Sequence, residues 1–334
     1  MKILVTGAGG FIGGELSRRL NELGHQVVTF QRGHYPQLED DGIATIRGDL
    51  ADLEAVRLAV TGCQVVFHVA ALASVWGPAR NFEDCNVKGT KNVIDACQHH
   101  QVPRLIFTSS PSVVFCGDHQ EGIDEQVPYP DKYLAHYPRT KAIAEKSVLG
   151  ANDENLSTLA LRPHLVWGPG DRHLIPRILE RARKGRLRLI DAPGTLIDAT
   201  YIDNVIDAHI AALSALKAGS PCCGRCYFIA NGEPIELHLL IAGILEAAQL
   251  EVVKPDVSPR MAWWLATLLE WLHRIPGVTG EPALTRFTAQ QLSTSHWFDL
   301  SAARNDLGWE PKISTEEGLQ RLARSLRPTA ELTR

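Results

Sequence analysis

Two apolar rhythms alternate along the first half of the chain. Short, nearly continuous apolar runs, ILVTG, VVTFQ, VVFHVA, LIFTSS and STLALRP, are separated by stretches in which apolar positions return every three or four residues, at residues 11–23, 52–60, 82–99 and 137–149. The first kind suits strands buried on both faces, and the second suits amphipathic helices. Their alternation predicts a doubly wound parallel sheet with helices on both faces and right-handed crossovers. Pro163, Gly168, Pro169 and Gly170 break the series, as turn residues do. Beyond them the spacing predicts helices over residues 175–184, 205–216, 237–248 and 261–272. The expected class is α/β, with the sheet domain over residues 1–165 and a smaller, mainly helical substrate lobe over 166–334 that shares some sheet strands.

The last predicted helix, MAWWLATLLEWL, holds three of the seven tryptophans. At ~3.6 residues per turn its apolar side chains cover more than one stripe. Such a helix is either core or has a second partner: a second subunit, a membrane surface or an alkyl chain. Twelve residues that include Glu270 fall short of the ~20 needed to cross a bilayer. A surface anchor carries Lys or Arg along its polar face, and none stands between Met261 and Leu272. A lid over a long apolar ligand is therefore expected, with membrane attachment the least favoured partner.

Length and charge narrow the classes. At 334 residues the chain exceeds what one hydrophobic core usually fills, which makes a cleft between two lobes available. A net charge of −4 without long blocks of one sign gives no electrostatic footprint for nucleic acid. The basic run Arg181, Arg183, Lys184, Arg186 and Arg188 reads as a solvated helix end. Seven scattered cysteines, with no signal-peptide pattern before KILVTG, point to a reducing, cytoplasmic setting. The pair Cys223 and Cys226 has thioredoxin-like spacing but precedes a strand-like run late in the chain and lacks companion ligands, so no redox or metal role is expected.

Residues 3–14, ILVTGAGGFIGG, run from a strand into a helix through Gly7, Gly10 and Gly13. The first glycine turns the chain, the second admits a pyrophosphate and the third lets helix pack on strand, so phosphates rest at a helix start opened by Phe11 and Ile12. That context, opening a βαβ unit, predicts a Rossmann dinucleotide site. NAD-binding chains carry an acid after the second strand, whereas this chain has Gln31 and Arg32, and a guanidinium there suits the 2′-phosphate of NADP. NADP(H) is expected rather than NAD(H). Asp49 and Leu50 would flank the adenine, and the small Val69, Ala70 and Ala71 would let the cofactor cross the carboxyl edge of the sheet.

Tyr137 and Lys141 stand four apart, on one helix face. A reductase needs an acid to protonate a carbonyl oxygen, and a neighbouring ammonium is expected to lower the phenol from its usual pKa of ~10. Thr108, Ser109, Ser110 and Ser112, at a strand end, offer a third donor. His164, Arg172 and His173 are candidates for holding a substrate carboxylate.

In order, TGAGGFIG, GDLAD, HVAA, the NVKGTKNV run from Asn86, FTSS, YPRTK, LRPHLVWGPGD and YIDNV resemble the extended short-chain dehydrogenase/reductase family. The resemblance implies Ser110, Tyr137 and Lys141 as catalytic residues and adds Asn86 and Pro163 to the cofactor site. Within it the chain is similar to the 3β-hydroxysteroid dehydrogenase branch. Runs such as FQRGHYP, TKAIAE, WGPGDRHLIPR and EPALTRF resemble its bacterial members that reduce 2-alkyl-3-oxoalkanoic acids in long-chain olefin synthesis. This implies NADPH-dependent reduction of a long-chain apolar acid, a homo-oligomer, and company with other enzymes of that synthesis. Two other functions stand beside it: oxidation of a 3β-hydroxysteroid or sterol 4-carboxylate, and dinucleotide sensing without chemistry.

Overall fold

The computed structural model describes residues 1–275, 278 and 280–327. Residues 328–334 of the expected second lobe lie outside them.

Seven parallel strands form the main sheet, in the spatial order Arg225–Ile229, Ser157–Pro163, Arg104–Thr108, Val65–His68, Lys2–Thr6, Gln26–Gln31 and Ala44–Arg47. The chain reverses direction across the sheet on either side of Lys2–Thr6, and crevices at such points take dinucleotides. Side chains alternate between faces. Ile3, Val5, Phe67 and Ile106 enter one helix-covered layer, while Leu4, Val28, Val66 and Phe107 enter the other. Both layers are lined with buried apolar side chains, which explains why the strand sequences read as apolar runs without alternation.

Helices Phe11–Glu22, Leu53–Val60, Gly89–His99 and His136–Gly150 fall where the periodicity put them. The predicted helix over 82–99 is interrupted: Ala79–Phe82 passes through a π-helical stretch, Glu83–Lys88, before Gly89. The edge strand Arg225–Ile229 comes from beyond residue 165. A small sheet joins Gln120–Ile123, His296–Phe298, Leu196–Ile197 and Ile235–Glu236, tying the first half of the chain to the last.

The tryptophan-rich helix, Pro259–Leu272, is not core. Ser258 caps it, its hydroxyl accepting from the Met261 amide, and Pro259 occupies the first turn, where no hydrogen bond is lost. Only Ala262, Ala266 and Glu270 are buried, packed toward helix Arg286–Gln291. Met261, Trp264, Leu265, Leu268, Trp271 and Leu272 face solvent.

Candidate active site

The glycine turn gives the site its floor. Gly7 takes φ +74° and an added Cβ there would stand 2.6 Å from the Ala70 Cα; a Cβ on Gly13 would stand 2.5 Å from the Gly7 carbonyl oxygen. A side chain at Gly13 would push the helix off the turn, and one at Gly7 would collide with the backbone that follows strand Val65–His68. Gly10 begins helix Phe11–Glu22 with no side-chain cap, so the first amides remain open for an anion favoured by the helix dipole.

Above this floor lies a cleft of about 430 Å³ along the carboxyl edge of the sheet. Gly7, Gly10, Phe11, Ile12, Gly13, Arg32, Asp49, Leu50, Val69, Ala70, Ala71, Tyr137 and Lys141, all expected at the site, line it. Two buried polar atoms of residues in its wall have no hydrogen-bond partner among the described residues, Gln31 Oε1 and Ser109 Oγ. Unpaired buried polar atoms cost about 1–3 kcal/mol each, and both stand where a ligand can satisfy them. Gln31 Nε2 donates to Thr29 Oγ1 at 3.2 Å, which fixes the side-chain amide and leaves its oxygen unpaired. The donor-rich helix start, these two bare oxygens and exposed Arg32 fit a dinucleotide.

Tyr137 and Lys141 come from the first two turns of helix His136–Gly150. Lys141 Nζ donates to the Thr108 carbonyl at 2.6 Å and lies 3.9 Å from the centre of the Phe107 ring. Burial lowers its ammonium to about 7, against the opposing pull of Glu145 and Cys85. Burial also pushes the Tyr137 phenol above its ordinary value, and only a hydrogen bond from Ser110 opposes this. The lowering of the phenol expected from Lys141 is absent, because that ammonium is turned to Thr108 and is itself disfavoured by burial. Ser110 Oγ accepts from the Ser112 amide at 3.2 Å and lies 3.0 Å from Ser112 Oγ. Strand ends behind the site are held by neutral histidines. His68 joins Thr6 and Thr90 at 2.8 and 2.9 Å, and His209 meets Thr108 Oγ1 at 2.8 Å.

Ser110, Asn86 and Pro163 lie outside the cleft wall. Asn86 is buried, accepts from the Leu72 amide at 2.8 Å and donates to Thr140 Oγ1 at 3.0 Å; it braces the loop after Ala71 against the Tyr137 helix. Pro163 ends its strand opposite Ile229. Of the three carboxylate candidates, His173 lines the cleft. Arg172 donates to the Gly9 carbonyl at 3.3 Å. His164 bonds the Asp198 carbonyl at 2.9 Å, and burial lowers it to about 4, so at neutral pH it carries no charge for a carboxylate. Sequence reasoning missed Gln31, Tyr35, Cys85 and Asp171 in the cleft wall. Tyr35 lies over Gly9, against which a Cβ would collide, and the unused Gly9 of the motif was the available signal.

Residues 4–256 match the 3-beta hydroxysteroid dehydrogenase/isomerase family. A 2-alkyl-3-oxoalkanoate reductase of Stenotrophomonas maltophilia is 49% identical over 97% of this chain and 99% of its own length. One of the same name from Shewanella oneidensis is 44% identical over 96% and 85%. Among solved structures, MoeE5 in complex with UDP-glucose and NAD is 26% identical, with a TM-score of 0.75 over 97% of this chain and 98% of its own.

Proposed function

From the chain's membership of the 3-beta hydroxysteroid dehydrogenase/isomerase family of oxidoreductases, we propose that it reduces a 2-alkyl-3-oxoalkanoic acid, the substrate its relatives' names give, to the 3-hydroxy acid with NADPH, as a step of long-chain olefin synthesis. The observation that carries this reading is the cleft itself, in which Tyr137 and Lys141 share a wall with a glycine turn and Arg32, and Gln31 and Arg32 stand where an NAD site has an acid after the second strand.

A reduced nicotinamide dinucleotide bound along this cleft supplies the hydride. Tyr137 donates its phenolic proton to the substrate's carbonyl oxygen as charge develops there, the role of a general acid. Ser110 orients the same oxygen. Lys141, with an ammonium that titrates near neutrality, holds the cofactor's ribose and steadies the phenolate left behind. Arg32 pairs with a 2′-phosphate through its planar fork. Reduction also protects the acid, since a β-oxo acid readily loses carbon dioxide and a β-hydroxy acid does not.

The test is a cofactor-oxidation assay comparing NADPH with NADH, against a 2-alkyl-3-oxo acid and a 3-oxosteroid. NADPH with the oxo acid should turn over fastest. Faster turnover of the steroid would hand the site to a sterol substrate. Arg32→Ala should weaken NADPH by ~1.5–3 kcal/mol, the worth of a charged hydrogen bond, and spare NADH. Equal loss for both cofactors would contradict the role given to Arg32.

A further inference from the structure

Tyr35 stands in the cleft wall with Arg32 and Gly33, and no step of the reduction uses it. The segment from Arg32 to Tyr35 follows strand Gln26–Gln31, at the end of the cleft where a Rossmann site receives the adenosine ribose. The ring is placed from behind. Pro36 keeps Tyr35 out of the helical region, the Tyr35 carbonyl accepts from the Leu38 amide at 3.0 Å, and Leu38 is buried. The Asp41 carboxylate accepts from Arg18 Nε at 2.7 Å, and its carbonyl accepts from Asn21 Nδ2 at 3.0 Å. Those bonds tie the short helix Pro36–Asp40 to helix Phe11–Glu22.

So held, the phenol lies between two glycines. A Cβ on Gly9 would collide with the ring carbons and stand 2.7 Å from the hydroxyl oxygen, and a Cβ on Gly33 would stand 3.0 Å from that oxygen. Gly9 is not one of the three glycines that the turn itself needs, Gly7, Gly10 and Gly13, so its missing side chain serves the ring. Tyr35 therefore bridges the phosphate turn and the loop that carries Arg32. Its neighbours are engaged elsewhere. The Gly9 carbonyl accepts from Arg172 Nη1 at 3.3 Å, the Asp49 carboxylate accepts from the Ala51 amide at 2.9 Å, and Glu39 accepts from Thr45 Oγ1 at 2.9 Å. The half-buried phenol is left as an uncharged donor beside an exposed guanidinium.

A phosphate monoester brings nearly two negative charges and three acceptor oxygens, more than the two parallel bonds of one guanidinium satisfy. A ribose hydroxyl brings neither. We propose that Tyr35 is a second determinant of dinucleotide choice: its hydroxyl donates to the cofactor's 2′-phosphate beside Arg32, and residue 9 is glycine so that the ring can lie there. This rests on the NADPH reading above and adds to it the residue that completes the phosphate's shell.

The experiment reads binding rather than turnover, by isothermal titration calorimetry of the full chain with NADPH, NADH, adenosine 2′,5′-bisphosphate and adenosine 5′-diphosphate. The parent should hold NADPH and the 2′,5′-bisphosphate more tightly than the other two. Tyr35→Phe keeps the ring and removes only the hydroxyl. It should weaken those two ligands by about tenfold or more, the worth of a hydrogen bond to a charged group, and leave NADH and the 5′-diphosphate near the parent's affinity. Gly9→Ala displaces the ring, so it should weaken the same two ligands and add little when combined with Tyr35→Phe; full additivity would overturn the part given to Gly9. Loss shared equally by all four ligands in Tyr35→Phe would overturn the proposal. A parent that prefers the 2′-phosphate and loses this preference in Arg32→Ala but keeps it in Tyr35→Phe would overturn the role of Tyr35 and leave the NADPH reading standing. A parent with no such preference would overturn both.

Discussion

Lys141 and Arg162 are both withdrawn from water, at 2% and 1% exposure, yet the fold treats them in opposite ways. Helix His136–Gly150 carries Tyr137, Lys141 and Glu145 at successive four-residue steps, on one stripe. At its inner end Glu145 accepts from Arg162 Nε at 3.0 Å and Nη2 at 2.7 Å, and from the Tyr129 hydroxyl at 2.7 Å. That two-pronged pair holds the Arg162 charge above its ordinary strength despite burial. Four residues earlier, Lys141 has a carbonyl and an aromatic ring but no carboxylate within bonding distance, and its ammonium falls to about 7. The partner decides the outcome, and the depth of burial does not. A charge closed off by its counter-ion is structural, whereas a charge left open beside a cleft answers to ligand and pH.

Breaking the open end should affect rate first. Tyr137→Phe should cut turnover by ~10²–10⁴-fold, the usual worth of a general acid, while the thermal midpoint and dinucleotide affinity stay near the parent's. Turnover within a few-fold of the parent would remove Tyr137 from its role. Breaking the closed end should affect stability. Glu145→Leu leaves Arg162 buried without its carboxylate and should cost about 3–5 kcal/mol in urea unfolding; a loss below 1 kcal/mol would mean that Arg162 finds water or another partner.

The smallest effect sharpens the contrast through pH. Lys141 releases its proton near 7 when folded but near ~10.4 when unfolded. Between those values the unfolded chain holds the extra proton, so this group makes stability rise with pH by about 1.4 kcal/mol per unit. The contribution is complete above the unfolded value and is lost as pH falls through 7. Lys141→Met should flatten that slope and loosen dinucleotide binding, with the largest loss of affinity below pH 7 where the parent carries its charge. An unchanged slope in the variant would place the titration elsewhere.

Features set by neighbours in sequence were legible from the chain. Gly7, Gly10 and Gly13 encode a turn within seven residues, Tyr137 and Lys141 share a face by spacing alone, and the apolar runs announce a sheet covered on both sides. Arg32 was readable because a strand end fixes where its side chain must be. Other features needed partners far along the chain. Gln31 is notable only because its oxygen is left bare in the folded cleft. Asn86 braces Leu72 and Thr140, 14 and 54 residues away, and His164 loses its claim on a carboxylate through burial beside Phe298 and His296.

The tryptophan-rich helix divides the two kinds of information most sharply. Its sequence determined that it is helical, too short to span a bilayer and apolar on more than one stripe, since propensity, length and periodicity are local properties. Whether that surplus apolar surface is core or exposed depends on what the fold packs against it, and here the contact is narrow, through Ala262, Ala266 and Glu270.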